Sequence, residues 1–209
     1  MQLILFDFDG VLADTFSDMI QFAQETCDEL GVNHTVKSAD LSNLEVMSFA
    51  TFGKACEVPM TLIDEFVRRC TGKFAKKEVP PPIFDGLPNV IRELSEENTL
   101  AVVTGNTTEN VNSFLVHHGL QDCFCMVYGV DLPGSKVDKI RIAQEQFKIA
   151  NRSVFFVGDS LSDIQAAQKA NVIGVAVSWG HQNLEMLARG KPDVIIHAPA
   201  ELLEVLNSR

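Results

Sequence analysis

Residues 3–10 read Leu3-Ile4-Leu5-Phe6-Asp7-Phe8-Asp9-Gly10. The run 3–8 is apolar except for Asp7, the pattern of a strand buried on both faces of a parallel sheet. It ends in two carboxylates and a glycine, and glycine permits the turn that would swing both carboxylates to one side. Similar runs, rich in β-branched residues, recur at 100–103, 126–130, 154–157 and 172–177, with a short last one at 194–196. Between them apolar residues repeat at helical spacing: Val90, Ile91 and Leu94; Val111, Phe114 and Leu115; Ile140, Ala143 and Phe147; Ile164, Ala167 and Ala170; Leu184 and Leu187; Leu202, Val205 and Leu206. Alternating strands and helices predict an α/β fold, a doubly wound parallel sheet with a Rossmann-like core and helices on both faces.

One stretch breaks the alternation. Residues 15–79 contain no run that reads as a buried strand. Met19, Ala23, Cys27 and Leu30 share one helical face, and Leu62, Ile63, Phe66, Val67 and Cys70 share another. Pro80-Pro81-Pro82 then makes a stiff extended joint, because proline cannot continue a helix. The expected organisation is a core of residues 1–14 and 83–209, with residues 15–82 forming a small all-helical cap and its hinge.

Composition narrows the class. The chain has 209 residues, 46% hydrophobic and 22% charged, which suits one globular domain with a modest insertion and excludes a disordered chain. Its 17 Lys and Arg against 28 Asp and Glu leave a net charge of −11, so no nucleic acid partner is expected. No apolar run approaches a membrane span, and no membrane association is expected. The N-terminal apolar residues lack a basic flank, so no signal peptide is read there. Five cysteines at irregular spacings, Cys27, Cys56, Cys70, Cys123 and Cys125, fit reduced thiols in a cytoplasmic protein. A monomer or a homodimer both remain compatible with the sequence.

Ligands of open α/β sheets bind outside the carboxyl ends of the strands. Those ends here carry Asp7 and Asp9 after the first strand, Thr104-Gly105-Asn106 after the second, and Gly158-Asp159-Ser160 with Asp163 after the fourth; Lys136 opens the helix after the third. Carboxylates converging on one rim repel one another unless a cation joins them, and hard oxygen donors with open positions suit Mg²⁺. A lysine and a hydroxyl beside such a cation suit an anionic substrate, most simply a phosphate. An aspartate is an established nucleophile for phosphoryl groups.

These segments resemble the motifs of the haloacid dehalogenase superfamily. Residues 7–15, DFDGVLADT, are similar to the first motif of its phosphatase members. Residues 103–106, VTGN, resemble the second, and residues 158–163, GDSLSD, the fourth. Val177-Ser178-Trp179-Gly180-His181, with Leu187, Asp193 and residues 199–202, is similar to the C-terminal pattern of phosphoglycolate-phosphatase-like members, and the helical insertion resembles their C1 cap. The resemblance implies a Mg²⁺-dependent phosphatase of a small phosphorylated metabolite acting through an aspartyl-phosphate. It implies Asp7 as nucleophile and Asp9 as general acid and then base. Mg²⁺ would be held by Asp7, the Asp9 carbonyl and Asp159, with Asp163 in support. The phosphoryl group would be bound by Thr104, the Gly105 N–H and Lys136.

The sequence departs from the family at two points. Lys136 is followed by valine where proline is frequent, and Lys139 competes for its role; the shorter distance from the strand end favours Lys136. A glycine separates Thr104 from Asn106, which leaves the role of Asn106 open. Two other functions stay in view: a sugar phosphomutase of the same superfamily, and a regulatory or scaffolding protein on the same fold. Residues 129–136, GVDLPGSK, nearly mimic a phosphate-binding loop but place serine before lysine, so nucleotide binding is not expected there. The basic residues Arg68, Arg69, Lys73, Lys76 and Lys77 read as a solvated helix face, or as a greeting for a substrate carboxylate or a second phosphate. Trp179 and His181 read as a core or rim pair, His117-His118 as a helix end, and Asp14 as a cap for the following helix.

Overall fold

A computed structural model describes residues 1–77 and 79–207. Six parallel strands form one sheet: β1 (Leu3–Phe6), β2 (Thr99–Val103), β3 (Met126–Tyr128), β4 (Val154–Gly158), β5 (Ile173–Val177) and β6 (Val194–Ile196), in the order β3-β2-β1-β4-β5-β6. The first strand is therefore central, and the chain reverses its winding direction on either side of it. Register pairs Phe6 with Val102 on one side and with Val157 on the other. The residues that follow, Asp7, Thr104 and Asp159, thereby leave the sheet at the same edge.

The helices are α1 (Phe16–Leu30), α2 (Ser38–Ser42), α3 (Phe49–Ala55), α4 (Ile63–Ala75), α5 (Leu87–Glu97), α6 (Thr108–His117), α7 (Lys136–Phe147), α8 (Leu161–Ala170), α9 (Leu184–Arg189) and α10 (Glu201–Asn207). Successive residues of a strand face opposite sides, and β1 shows the consequence. Ile4 and Phe6 pack with Leu87, Ile91, Phe114 and Leu202, so α5, α6 and α10 cover one face. Leu3 and Leu5 pack with Ile140, Ala143, Ala167 and Ala170, so α7 and α8 cover the other. This is the doubly wound arrangement that the alternation implied.

Two strands stop before the C-terminal end of their apolar runs. β1 ends at Phe6 because the chain turns at once: Leu12 and Ala13 both donate their N–H to the Phe8 carbonyl, at 2.9 and 3.0 Å, and Gly10 takes φ +78°. β3 ends at Tyr128, where the Val130 N–H leaves the ladder for the Asn106 carbonyl at 2.8 Å.

Helices α1 to α4, with a 3₁₀ turn at Met60–Leu62, fill residues 16–75. They surround an apolar cluster of their own, which includes Ala23, Cys27, Leu41, Phe52, Phe66 and Cys70. Phe52 and Phe66 are fully buried in it, and truncating either to alanine would cost about 3–5 kcal/mol. Gly53 lets α3 and α4 close on each other, since a Cβ there would meet the Phe66 ring at 2.9 Å. The chain leaves the sheet layer and returns to it side by side: Ala13 and Ile83 form an antiparallel bridge, and the Asp14 N–H donates to the Pro82 carbonyl at 2.9 Å. A second contact joins the loop after α2 to the region around α9. There Asn183 Nδ2 donates to Asn43 Oδ1 at 2.8 Å, Arg189 pairs with Glu45, and Gln182 Nε2 donates to the Leu44 carbonyl. Among the described residues no helix is long and apolar enough to cross a membrane.

Candidate active site

The carboxyl edge of the sheet opens into a cavity of about 730 Å³, lined among others by Asp7, Asp9, Thr104, Lys136 and Asp159. Its opposite wall comes from α1, α4 and the start of α3. Four strand ends thus contribute to one chamber beneath the helical insertion.

At its floor lies an ionic knot. Lys136 Nζ sits 2.8 Å from Asp7 Oδ2 and 2.5 Å from Asp163 Oδ1. Asp163 is engaged through both oxygens, because Oδ2 accepts the Ser160 hydroxyl at 2.5 Å. Ser160 is the N-cap of α8 and also accepts the Asp163 N–H, so the helix start fixes the carboxylate. Lys136 is the first residue of α7, behind a capping box formed by Ser135 and Asp138. That box answers the question of a phosphate-binding loop at residues 129–136. The Asp138 carboxylate already accepts the Ser135 N–H at 2.8 Å, where such a loop would offer its N–H groups to a phosphate.

Lys139 goes elsewhere. It is 3% exposed and donates to the Thr104 carbonyl at 3.3 Å. Burial holds its ammonium below the usual lysine range. Of the two lysines, Lys136 alone contacts the aspartates.

Asp7, Asp159 and Asp163 can present oxygens within 4.8 Å of one another, and all three side chains are buried. Burial pushes the Asp7 carboxyl up to about 8; Lys136 opposes this, and Asp163 and Asp159 reinforce it. Burial, with Asp163 beside it, likewise pushes Asp159 up to about 7. The Lys136 ammonium is held well above its usual range: burial works against the charge, and Asp163 and Asp7 outweigh it. One ammonium among three carboxylates leaves an excess of negative charge in a low-dielectric pocket. That donor set, all hard oxygens, fits a divalent cation such as Mg²⁺.

Three glycines make room for this crowding. A Cβ on Gly10 would lie 2.0 Å from Asp159 Oδ2, and one on Gly158 would lie 2.3 Å from the Asp163 Cβ. On Gly180 it would meet the Asp159 Cβ at 2.3 Å and the Gly10 carbonyl at 2.5 Å.

Asp9 is held by two side chains, one near in sequence and one distant. Thr15 Oγ1 donates to its Oδ1 at 3.2 Å, and Asn106 Nδ2 donates to its Oδ2 at 3.3 Å. This gives Asn106 the position the sequence left open: it ties the loop after β2 to Asp9. Thr15 also lies 3.2 Å from His181 Nε2, and the His181 N–H donates to Asp159 Oδ2 at 2.7 Å. The other ring nitrogen, His181 Nδ1, lies 3.6 Å from Asp159 Oδ2, so the imidazole stands between Thr15 and Asp159. His181 is 4% exposed, and burial holds its pKa below the ordinary value against the pull of the nearby aspartates. Thr104, fully enclosed, accepts the Asn106 N–H on its hydroxyl at 3.0 Å, and Gly105 continues the cavity wall.

The remaining expectations divide. Asp14 accepts the Phe16 N–H at 3.4 Å, but the N-cap of α1 is Thr15, so Asp14 is not the cap the sequence suggested. His118 is the C-cap of α6 and lies 3.0 Å from the Pro81 carbonyl. Trp179 donates to the Val11 carbonyl at 3.3 Å and braces the turn after β1. Arg68, Arg69, Lys73 and Lys77 are paired with acids of α1 and α4 and do not line the cavity. Cys125 donates to the Leu100 carbonyl. Sequence reasoning missed the bridging part of Thr15 and His181 and the link of Gln182, whose Oε1 accepts the Leu161 N–H at the start of α8 at 2.6 Å. The signal for His181 was present in the Gly180-His181 pair directly after β5; nothing local marked Gln182.

Comparison with known proteins agrees with the geometry. A family model described as haloacid dehalogenase-like hydrolase matches residues 4–177. A phosphoglycolate phosphatase of Synechococcus elongatus is 26% identical over 209 residues, 99% of this chain and 97% of its own length. One from Vibrio vulnificus is 26% identical over 231 residues, covering 99% and 96%. A haloacid dehalogenase-like family hydrolase of Streptococcus pneumoniae has the same fold, with TM-score 0.85 and 24% identity over 98% of both chains.

Proposed function

The chain belongs to the haloacid dehalogenase-like hydrolases, and from that premise we propose that it hydrolyses a phosphomonoester of a small metabolite, with Asp7 as the nucleophile. The observation that carries this is the convergence of Asp7, Asp9, Thr104 and Asp159 from three strand ends, and of Lys136 from the start of α7, on one cavity. The phosphoglycolate phosphatases among its relatives support the reaction class; at 26% identity they leave the alcohol part of the substrate open.

In the first step an Asp7 oxygen bonds to phosphorus as the bond from phosphorus to the alcohol oxygen breaks. Asp9, oriented by Thr15 and Asn106, gives its proton to the leaving alkoxide. Asp9 then takes a proton from water as that water attacks phosphorus; the Asp7–phosphorus bond breaks and inorganic phosphate leaves. Lys136 offsets charge on Asp7 and on the transferring group, and the Thr104 hydroxyl and Gly105 N–H hold its oxygens. Phosphoryl transfer asks the protein for little beyond such positioning and charge stabilisation. Asp7, Asp159 and the Asp9 carbonyl would hold Mg²⁺, which when bound lets an anionic nucleophile approach an anionic phosphate. Asp163 fixes Lys136 from behind.

Residues 15–82 act in this reading as a cap and hinge, excluding water from the chamber and contacting the alcohol. The test is phosphate release from p-nitrophenyl phosphate and a panel of metabolite phosphates, with Mg²⁺ and with EDTA. Release that needs Mg²⁺ and vanishes in Asp7→Asn supports the mechanism; release that survives in Asp7→Asn excludes it.

A further inference from the structure

The two halves of the cavity differ in chemistry. The half nearest the sheet is polar and anionic: Asp7, Asp9, Asp159 and Glu109 all line it. The cap half is built from Met19, Met47, Phe49, Phe74 and Ala75, with only the hydroxyls of Ser48 and Thr71 as polar groups. The Phe49 and Phe74 rings lie 5.8 Å apart, and Phe22 braces Phe74 edge-on at 4.8 Å, so the aromatic wall is fixed in place.

Among the described residues Lys136 is the one cation lining this space, and it already contacts Asp7 and Asp163. Three basic residues of the cap are committed outside it: Lys73 to Glu25 and Glu29, Arg69 to Glu29 and Glu65, and Lys77 to Asp18; Lys76 is exposed and does not line the cavity. A substrate carboxylate reaching the cap half would therefore meet apolar side chains and two hydroxyls with no cation among the lining residues, a costly burial. The volume, about 730 Å³, also lies in the range of sites that enclose ligands far larger than a two-carbon acid.

We propose, building on the reading that Asp7 attacks a phosphomonoester, that the alcohol part of the substrate is uncharged, larger than glycolate, and apolar on the face it turns to Phe49 and Phe74. Met47 and Phe74 are then specificity-determining residues. They select against short phosphorylated acids and give an apolar group a place to lie while the phosphate is held over Asp7.

The test compares kcat/KM for benzyl phosphate, n-butyl phosphate and 2-phosphoglycolate with Mg²⁺ present; all three leave as primary alcohols, so intrinsic reactivity is closely matched. Benzyl phosphate is expected to exceed 2-phosphoglycolate by about tenfold or more, the scale of one good apolar subsite. Placing an ammonium on the cap wall with Met47→Lys or Phe74→Lys is expected to move that ratio at least about tenfold toward the acid. A native preference for 2-phosphoglycolate would overturn the inference and leave the phosphatase reading intact. Hydrolysis of none of the three would overturn the phosphatase reading instead. The cavity assignment would then be decided by calorimetric binding of benzylphosphonate against phosphonoacetate, tighter phosphonoacetate refuting it.

Discussion

Lys136 Nζ stands between Asp7 and Asp163, 2.8 Å from the first and 2.5 Å from the second, although 27 residues separate the lysine from Asp163. The lysine comes from the start of α7 and the two aspartates from the ends of β1 and the start of α8, so the knot ties three elements. Lys136→Met removes the one ammonium of a buried acidic cluster. We expect kcat/KM to fall about 10²–10³-fold, the usual loss for one preorganised electrostatic contact. Circular dichroism should show a folded protein in the presence of Mg²⁺. A loss below threefold would mean that Lys136 does not act on the transferring group.

The acidic cluster makes the metal-free protein sensitive to pH. Burial raises Asp7 to about 8 and Asp159 to about 7, above their unfolded values. The folded state thus holds protons that the unfolded state has already lost. Stability is greatest below about pH 4, as far as these two groups decide it, and declines as pH rises toward 7 to 8. In EDTA, Tm should fall between pH 5 and pH 8; with Mg²⁺ the fall should shrink, because the cation takes the place of the protons. An EDTA profile that rises over this interval would contradict the description of the cluster.

Gly180 holds the β5 end against the site. Any side chain there collides with the Asp159 Cβ and with the Gly10 backbone. Gly180→Ala should destabilise the protein by about 1–3 kcal/mol, the range for overpacking a tight interior. It should also weaken Mg²⁺ binding, because Asp159 is the group displaced. Urea unfolding and Mg²⁺ titration read the two effects separately.

Thr15 is the N-cap of α1, and its hydroxyl stands between Asp9 and His181. Thr15→Val keeps the shape and removes the hydroxyl. We expect kcat to drop about tenfold with little change in KM, because Asp9 loses the hydroxyl that orients it for proton transfer. Thr15→Ser should restore most of the rate.

Much of this was legible in the sequence. Each strand of the sheet coincides, to within a residue or two at its ends, with a run of apolar, β-branched residues, and burial on both faces makes such runs easy to see. Asp7, Asp9, Thr104, Asp159 and Lys136 were found because strand ends deliver side chains to one edge regardless of the details of packing. What escaped was set by contacts between distant segments. Asn106 reaches Asp9 across 97 positions and Thr15 meets His181 across 166, and no local pattern encodes either pair. The choice between Lys136 and Lys139 depended on which face of α7 turns toward β1. The apolar lining of the cap was hidden too, because Met19, Met47, Phe49 and Phe74 look like ordinary core residues until the fold aims them at the cavity.

The most direct measurement is acid-quench trapping of the enzyme during turnover of p-nitrophenyl phosphate with Mg²⁺, followed by peptide mass analysis. A phosphoryl group on Asp7, formed and lost at rates that support turnover and absent in Asp7→Asn, is the expected result. Full turnover with no phosphorylated peptide at any quench time, and with Asp7→Asn still active, would contradict nucleophilic attack by Asp7.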